Sequence, residues 1–195
     1  MRIAAAFALV PFAYLLGAFP SAVMVARSRG VDILTQGSGN PGASNVARVL
    51  GSRWGACVFL LDAAKGALPA LVGVALDTRP GAYVLVSAAV LGHMFPATRR
   101  FRGGKGVATM GGAMMVLHPL TSLVLTAVWL ITRKATGKAS VASLAITFGL
   151  PVCLAVSGAP AWEFAAVIAL CLLVLVRHIE NIKRLIARRE LSANS

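Results

Sequence analysis

Acidic side chains are scarce in this chain: six Asp and Glu stand against 19 Lys and Arg among 195 residues, and charged residues of both signs make up only 13%. Soluble domains carry about a quarter of their residues as charged side chains, so a soluble globular fold is excluded first. Cysteine is also sparse. Cys57, Cys153 and Cys171 are odd in number, scattered, and set in apolar segments, which makes neither a disulfide framework nor a metal site. Histidine occurs three times, at positions 93, 118 and 178, with no cluster of ligating residues around any of them; no metal and no cofactor are expected. No His-x4-Asp pair is present, because the residues at that distance from the three histidines are Thr98, Leu123 and Lys183. No Ser or Cys has a recognisable base and orienter for covalent catalysis. No aromatic-basic stripe or nucleic-acid motif accompanies the formal charge of +13, so no nucleic-acid partner is expected.

What the chain does have is apolar length. Hydrophobic residues make up 58%, mean hydropathy is +0.81, and a span needs about 20 apolar residues. Apolar segments run over residues 3–26, 54–76, 82–96, 107–117, 119–131, 141–156 and 161–176. This predicts an all-α polytopic membrane protein, a single integral-membrane domain over 1–195 with a basic tail over 177–195. The first run imitates a signal peptide, but it continues to Ala26 and ends on Arg27 and Arg29, the flank of a retained span entering the cytoplasm. His118-Pro119 either interrupts one long helix or separates two short ones. Charge decides for two. With a break there and the N-terminus outside, only Arg2 and Arg79 fall on the external side, whereas a merged helix strands Arg133, Lys134, Lys138 and the basic tail outside against the orientation bias. About seven spans follow, with the C-terminus cytoplasmic.

Three polar stretches fall on that cytoplasmic side. The first reads Gly37-Ser38-Gly39-Asn40-Pro41-Gly42-Ala43-Ser44-Asn45, then Arg48 and Gly51. Its density of small residues lets backbone approach a ligand, and a helix start after it favours an anion. No strand precedes it, so the formal G-x-G-x-x-G spacing is not a dinucleotide site. The second runs from Gly92-His93-Met94-Phe95-Pro96 to Phe101-Arg102-Gly103-Gly104-Lys105-Gly106. Lys105 among three glycines suggests a phosphate cradle, without the spacing or hydroxyl of a Walker A loop; Arg99, Arg100 and Arg102 are placed to meet anionic lipid headgroups. The third, Arg177-His178-Ile179-Glu180-Asn181-Ile182-Lys183-Arg184, reads as a basic amphipathic helix running to Glu190. There, His178, Asn181 and Arg184 fall close to one face. Within the spans, Asp62 and Lys65 share a helical face three residues apart and neutralise one another. His93 reads as a hydrogen-bonded helix-end residue and His118 as part of an external turn.

These stretches resemble the acyl-phosphate-dependent glycerol-3-phosphate acyltransferases, the PlsY family, from about Leu15 through Glu190. The carrying motifs are GSGNPGASNVAR with Gly51, GHMFP with FRGGKGVAT, and HIENIKRL with Glu190; Asp62 to Gly66 and the Ser140, Ser143 pair are similar too. Ser44 stands where Thr is usual, and Arg188 where the family commonly has Gly before the final Glu. The resemblance implies seven spans, an outward N-terminus and an active site facing the cytoplasm of a bacterial inner membrane. It implies glycerol 3-phosphate as acceptor, and acyl phosphate as donor, made by a separate acyl-carrier-protein-dependent phosphate acyltransferase.

Two phosphate-bearing substrates repel one another, so cations and amide donors must hold both. Arg48 and Lys105 are the candidate clamps, with Ser38, Gly39, Gly103, Gly104 and Ser140 as close donors, Asn40, Asn45 and Gly106 as further substrate contacts, and Lys105 on glycerol 3-phosphate by resemblance. His178 and Asn181 are the candidate catalytic pair, orienting hydroxyl and carbonyl; either His178 or a substrate phosphate takes the proton. His93, Asp62, Lys65, Arg184 and Glu190 are expected to support the site. The rival class is a small anion transporter with glycine-rich substrate loops, which the one-sided placement of polar groups disfavours.

Overall fold

A computed structural model describes residues 2–192. Residues 193–195, the end of the expected basic tail, lie outside the described residues. Every regular element among the described residues is helical: α1 (Arg2–Ala8), α2 (Val10–Ala18), α3 (Ser21–Arg27), α4 (Ala43–Leu50), α5 (Ser52–Ala75), α6 (Arg79–Met94), α7 (Val107–Leu117), α8 (Pro119–Thr136), α9 (Ala139–Val156), α10 (Ala161–Arg177) and α11 (Ile179–Ile186), with a 3-10 turn at Ala97–Arg99. The chain groups into two compact units, one through Leu117 and one from His118.

Each apolar segment is mainly helical, the first divided into three helices by breaks at Leu9 and at Phe19–Pro20. Among the described residues four stretches are long and apolar enough to cross a bilayer: Val10–Arg27, Ser52–Ala75, Arg79–Arg99 and Ala139–Val156. Taken together as one broken stretch, α10 and α11 also reach that length, with a bend of 56° between them. The expected break at His118 is present, since α7 ends at Leu117 and α8 starts at Pro119. At 1.5 Å per residue α7 is only about half of a ~30 Å hydrocarbon core in length. Large apolar side chains such as Phe12, Leu120 and Val156 face outward, the last 85% exposed. Such a surface suits lipid and not water.

In the first unit α5 packs against α2, α4, α6 and α7, and glycines set the spacing. A Cβ on Gly66 would overlap the Thr109 carbonyl and one on Gly112 the Ala63 carbonyl, so α5 and α7 meet backbone to backbone; Gly17 against Ala89 and Gly92 against Tyr14 do the same for α2 and α6. Small residues permit the close packing that replaces a hydrophobic driving force within lipid. The connection from Ser28 to Gly42 is pinned by Ile33, fully buried among Ala22, Val23, Ala26, Val46 and Val58; burying such a side chain contributes about 1.5–3 kcal/mol.

In the second unit α9 packs against α8 and α10. Helix α8 ends on Gly137 at φ +66, the left-handed position that glycine occupies without steric penalty, with Arg133 and Lys134 in its last turn complementing the dipole. His118 lies in the turn between α7 and α8, as expected, but does more than punctuate it. Its Nε2 pairs with Glu163 Oε2 at 3.1 Å, both side chains largely buried, because a carboxylate set in an apolar helix needs a polar partner.

Candidate active site

The first glycine-rich loop is built around Asn45. Helix α4 begins immediately after Gly42, supplying the helix start expected after the glycine-rich stretch, and it presents Asn45 and Arg48. The Asn45 side chain accepts from the Ser38 N–H at 2.8 Å and from Arg48 at 3.2 Å. It donates to the carbonyls of Gln36 at 3.0 Å and Ile33 at 3.3 Å. That fills the hydrogen-bonding capacity of a carboxamide, so Asn45, expected as a substrate contact, instead shapes the loop. Gly37 at φ +58 sits where a Cβ would overlap Asn45 Oδ1. Ser38 Oγ accepts from the Asn40 N–H at 3.4 Å, and the Gly39 N–H donates to the Gln36 carbonyl at 3.0 Å. The loop thus holds Ser38 and Asn40 in one folded turn, with Arg48 of α4 joined to it through Asn45.

The second loop is anchored at both ends. Tyr14 Oη donates to the Phe95 carbonyl at 2.7 Å and accepts from the Ala97 N–H at 2.9 Å. The Gly103 and Gly104 N–H groups donate to the Met94 and His93 carbonyls at 3.2 and 3.1 Å. Those two amides, expected as donors to substrate, instead close the end of α6; what the glycines contribute is backbone thin enough to lie there. Half-buried Lys105 follows, then Gly106 at φ +79 and the start of α7. Beside them Lys65 Nζ lies 2.6 Å from Asp62 Oδ1 and 2.8 Å from Ser21 Oγ. Ser21 Oγ also bonds Asp62, and His93 Nδ1 is 3.8 Å from the same oxygen. The Asp62–Lys65 pairing read from sequence is therefore present, with Ser21 and His93 added. Ser21, Pro41, Asp62, Lys65, His93 and Arg99 line one narrow crevice, which brings the first loop to the second.

In the second unit His178 sits at the bend between α10 and α11, 1% exposed. Its Nδ1 lies 2.8 Å from the Val174 carbonyl, which can only accept; Nδ1 therefore carries the hydrogen, and in the neutral ring Nε2 carries the lone pair. Helix α11 stops at Ile186 short of the expected Glu190. The chain reverses through Arg188 at φ +54, and the Glu190 carboxylate accepts from Asn181 Nδ2 at 2.6 Å and Arg184 Nε at 2.9 Å. A continuous helix would put nine residues, about 13 Å of rise, between Asn181 and Glu190, so the reversal is required for this contact. Burial pushes the Glu190 carboxyl up, but the bonds from Asn181 and Arg184 and the nearby Ser140 hydroxyl outweigh it and hold it below the ordinary carboxylate value. Buried Ser140 Oγ makes no aligned hydrogen bond of its own. Among the described residues no group of His, Cys, Asp and Glu is arranged to hold a metal.

The family model described as glycerol-3-phosphate acyltransferase matches residues 7–188. The chain belongs to the glycerol-3-phosphate acyltransferase family. It is similar to the glycerol-3-phosphate acyltransferase of Aquifex aeolicus, 41% identical over 93% of this chain and 96% of the relative, and to that of Myxococcus xanthus, 44% identical over 94% and 97%. A crystal structure of PlsY, an integral membrane glycerol 3-phosphate acyltransferase, in its glycerol 3-phosphate form superposes with a TM-score of 0.92. It is 39% identical over 96% of this chain and 95% of that one. The lysophosphatidic acid form superposes at 0.90 with the same identity and coverage. As a glycerol-3-phosphate acyltransferase family member with several bilayer-length helices, the chain is a multi-pass membrane protein.

Proposed function

We propose that the chain transfers a fatty acyl group from acyl phosphate to the sn-1 hydroxyl of glycerol 3-phosphate, giving lysophosphatidic acid and inorganic phosphate. The observation that carries this is the likeness to PlsY in forms named for glycerol 3-phosphate and lysophosphatidic acid, with motif residues falling in every polar stretch of this chain. The hydroxyl oxygen attacks the acyl carbonyl carbon, and the carbon–oxygen bond to phosphate then breaks with its electron pair going to the phosphate. Acyl phosphate already carries a good leaving group, so placement and charge neutralisation are the main demands on the protein.

In this proposal Lys105 and Arg48 hold the phosphates, with Ser38, Gly39, Asn40, Gly106 and Ser140 lining the substrates and Gly103 and Gly104 bringing Lys105 close. Asn181 and His178 orient the reacting groups. The tautomer fixed by Val174 leaves Nε2 as the basic nitrogen of His178, able to receive the hydroxyl proton; a phosphate oxygen of the substrate is the other chemically competent acceptor. The proposed topology has seven spans, an external N-terminus and a cytoplasm-facing site in a bacterial inner membrane, with 1–195 acting as one functional domain. A separate acyl-carrier-protein-dependent phosphate acyltransferase supplies the donor.

The test is to give purified protein glycerol 3-phosphate with acyl phosphate, acyl-CoA or acyl carrier protein in parallel. Lysophosphatidic acid and inorganic phosphate should appear one to one with acyl phosphate alone. Product from a thioester instead overturns the donor. A His178→Gln variant that keeps near-full kcat assigns the proton to the substrate phosphate; a severe loss of kcat restored towards high pH assigns it to His178.

A further inference from the structure

Asp62 and Lys65 are buried in the middle of α5, and a buried ion pair is by itself a poor source of stability. The pair is instead the base of a longer arrangement. One oxygen, Asp62 Oδ1, receives Lys65 Nζ at 2.6 Å, receives Ser21 Oγ, and faces His93 Nδ1 at 3.8 Å. The side chains of Asp62, Lys65 and His93 are 3%, 4% and 7% exposed, so these charges act on the ring through little intervening solvent.

The opposite edge of that ring meets the second loop. His93 Nε2 occupies the space where a Cβ on Gly104 would project, and the His93 carbonyl lies where a Cβ on Gly103 would. The same carbonyl accepts the Gly104 N–H at 3.1 Å. Gly104 is therefore fixed by a single residue twice, through its amide and through contact with the imidazole, and the next residue in the chain is Lys105. We propose that His93 is a positioning residue for Lys105, its ring set by Asp62, Lys65 and Ser21 and supporting Gly104 from behind. This rests on the reading of Lys105 as the clamp for glycerol 3-phosphate.

The effect of such a residue is selective. Moving a clamp by a fraction of its hydrogen-bond length weakens one substrate and leaves the other alone, and a misplacement of about 1 Å is worth about 100-fold. His93→Ala should raise the apparent KM for glycerol 3-phosphate by about tenfold or more, within that ~100-fold ceiling, with the KM for acyl phosphate unchanged. If the alanine variant does not fold, His93→Asn, which keeps a polar group towards Asp62 but no ring edge at Gly104, carries the same measurement and should show a smaller rise. An unchanged glycerol 3-phosphate KM in the folded variant overturns the proposal.

A second arm uses the contact itself. Gly104→Ala places a methyl on the ring and should reduce kcat/KM for glycerol 3-phosphate by about 100-fold. Combined with His93→Ala, the added methyl has room, and the double variant should be no worse than His93→Ala alone. Multiplicative losses would falsify the contact. Lys105→Ala, assayed alongside, separates the two readings. If it leaves the glycerol 3-phosphate KM unchanged, the clamp is wrong. If it raises that KM while His93→Ala does not, the positioning role alone is wrong.

Discussion

Asn181 donates its side-chain amide to the Glu190 carboxylate at 2.6 Å, so a candidate catalytic residue and the end of the chain are held by one hydrogen bond. The carboxyl is held below its ordinary value despite burial. A depressed carboxyl contributes stability that is present above its unfolded value and lost as pH falls through the folded one. The reversed C-terminal segment should therefore stay docked from neutral pH down through the ordinary carboxylate range and release only below it. Thermal unfolding in detergent across acid pH should show this limb in the parent protein and lose it in Glu190→Gln. Identical pH profiles would remove Glu190 from the role.

Arg188 occupies the left-handed region at φ +54, where a side chain costs about 1–2 kcal/mol relative to glycine. Arg188→Gly relieves that strain, offset by the larger unfolded-state entropy of glycine, roughly 0.5–1 kcal/mol. A net stabilisation between about 0 and about 1.5 kcal/mol is expected, with the Asn181–Glu190 contact and kcat retained. A lower unfolding temperature would show that the arginine side chain contributes more than its backbone strain removes.

Adjacent glycines in α7 should respond in opposite ways. A Cβ on Gly111 meets nothing within 4 Å, whereas one on Gly112 overlaps the backbone of Ala63. Gly111→Ala should stabilise by up to about 1 kcal/mol through helix propensity. Gly112→Ala should destabilise by about 1–3 kcal/mol, as overpacking does, since backbone cannot step aside. Folded yield and unfolding temperature measured on both variants check the contrast.

Asn45→Ala should loosen the first glycine loop as a whole. Ser38 N–H and the carbonyls of Ile33 and Gln36 each lose a partner. Buried groups left unpaired cost about 1–3 kcal/mol each before water reaches them. Protease sensitivity within residues 28–42 should rise together with loss of activity. Loss of activity with parental protease resistance would return Asn45 to a direct substrate role.

Much of the helical architecture was legible because apolar runs and Pro119 act locally: α7 begins and ends where the pattern of residues 107–117 says. Pairing of Asp62 with Lys65 was legible for the same reason, being a matter of i,i+3 spacing on one helix. The partners Ser21 and His93 were not, because they arrive from other helices. Glycine density announced close approach without saying to what; Gly103 and Gly104 lie on the end of their own preceding helix. The reversal at Arg188 was legible only through the resemblance, in which Gly is common at that position before the final Glu; the arginine itself disfavours the left-handed turn it adopts. His118 looked like turn punctuation because its partner Glu163 is 45 positions away in sequence, though a lone acid in an apolar run was a signal that some base had to meet it.

The glycine contacts of the first unit have one more consequence. Where helices touch through Gly17, Gly66, Gly92 and Gly112, their separation is set by main chain, and the outward Phe, Leu and Val side chains play no part in fixing it. The lipid-facing coat is in this sense decoupled from the frame. A substitution confined to that coat should therefore leave the separation of these helices unchanged.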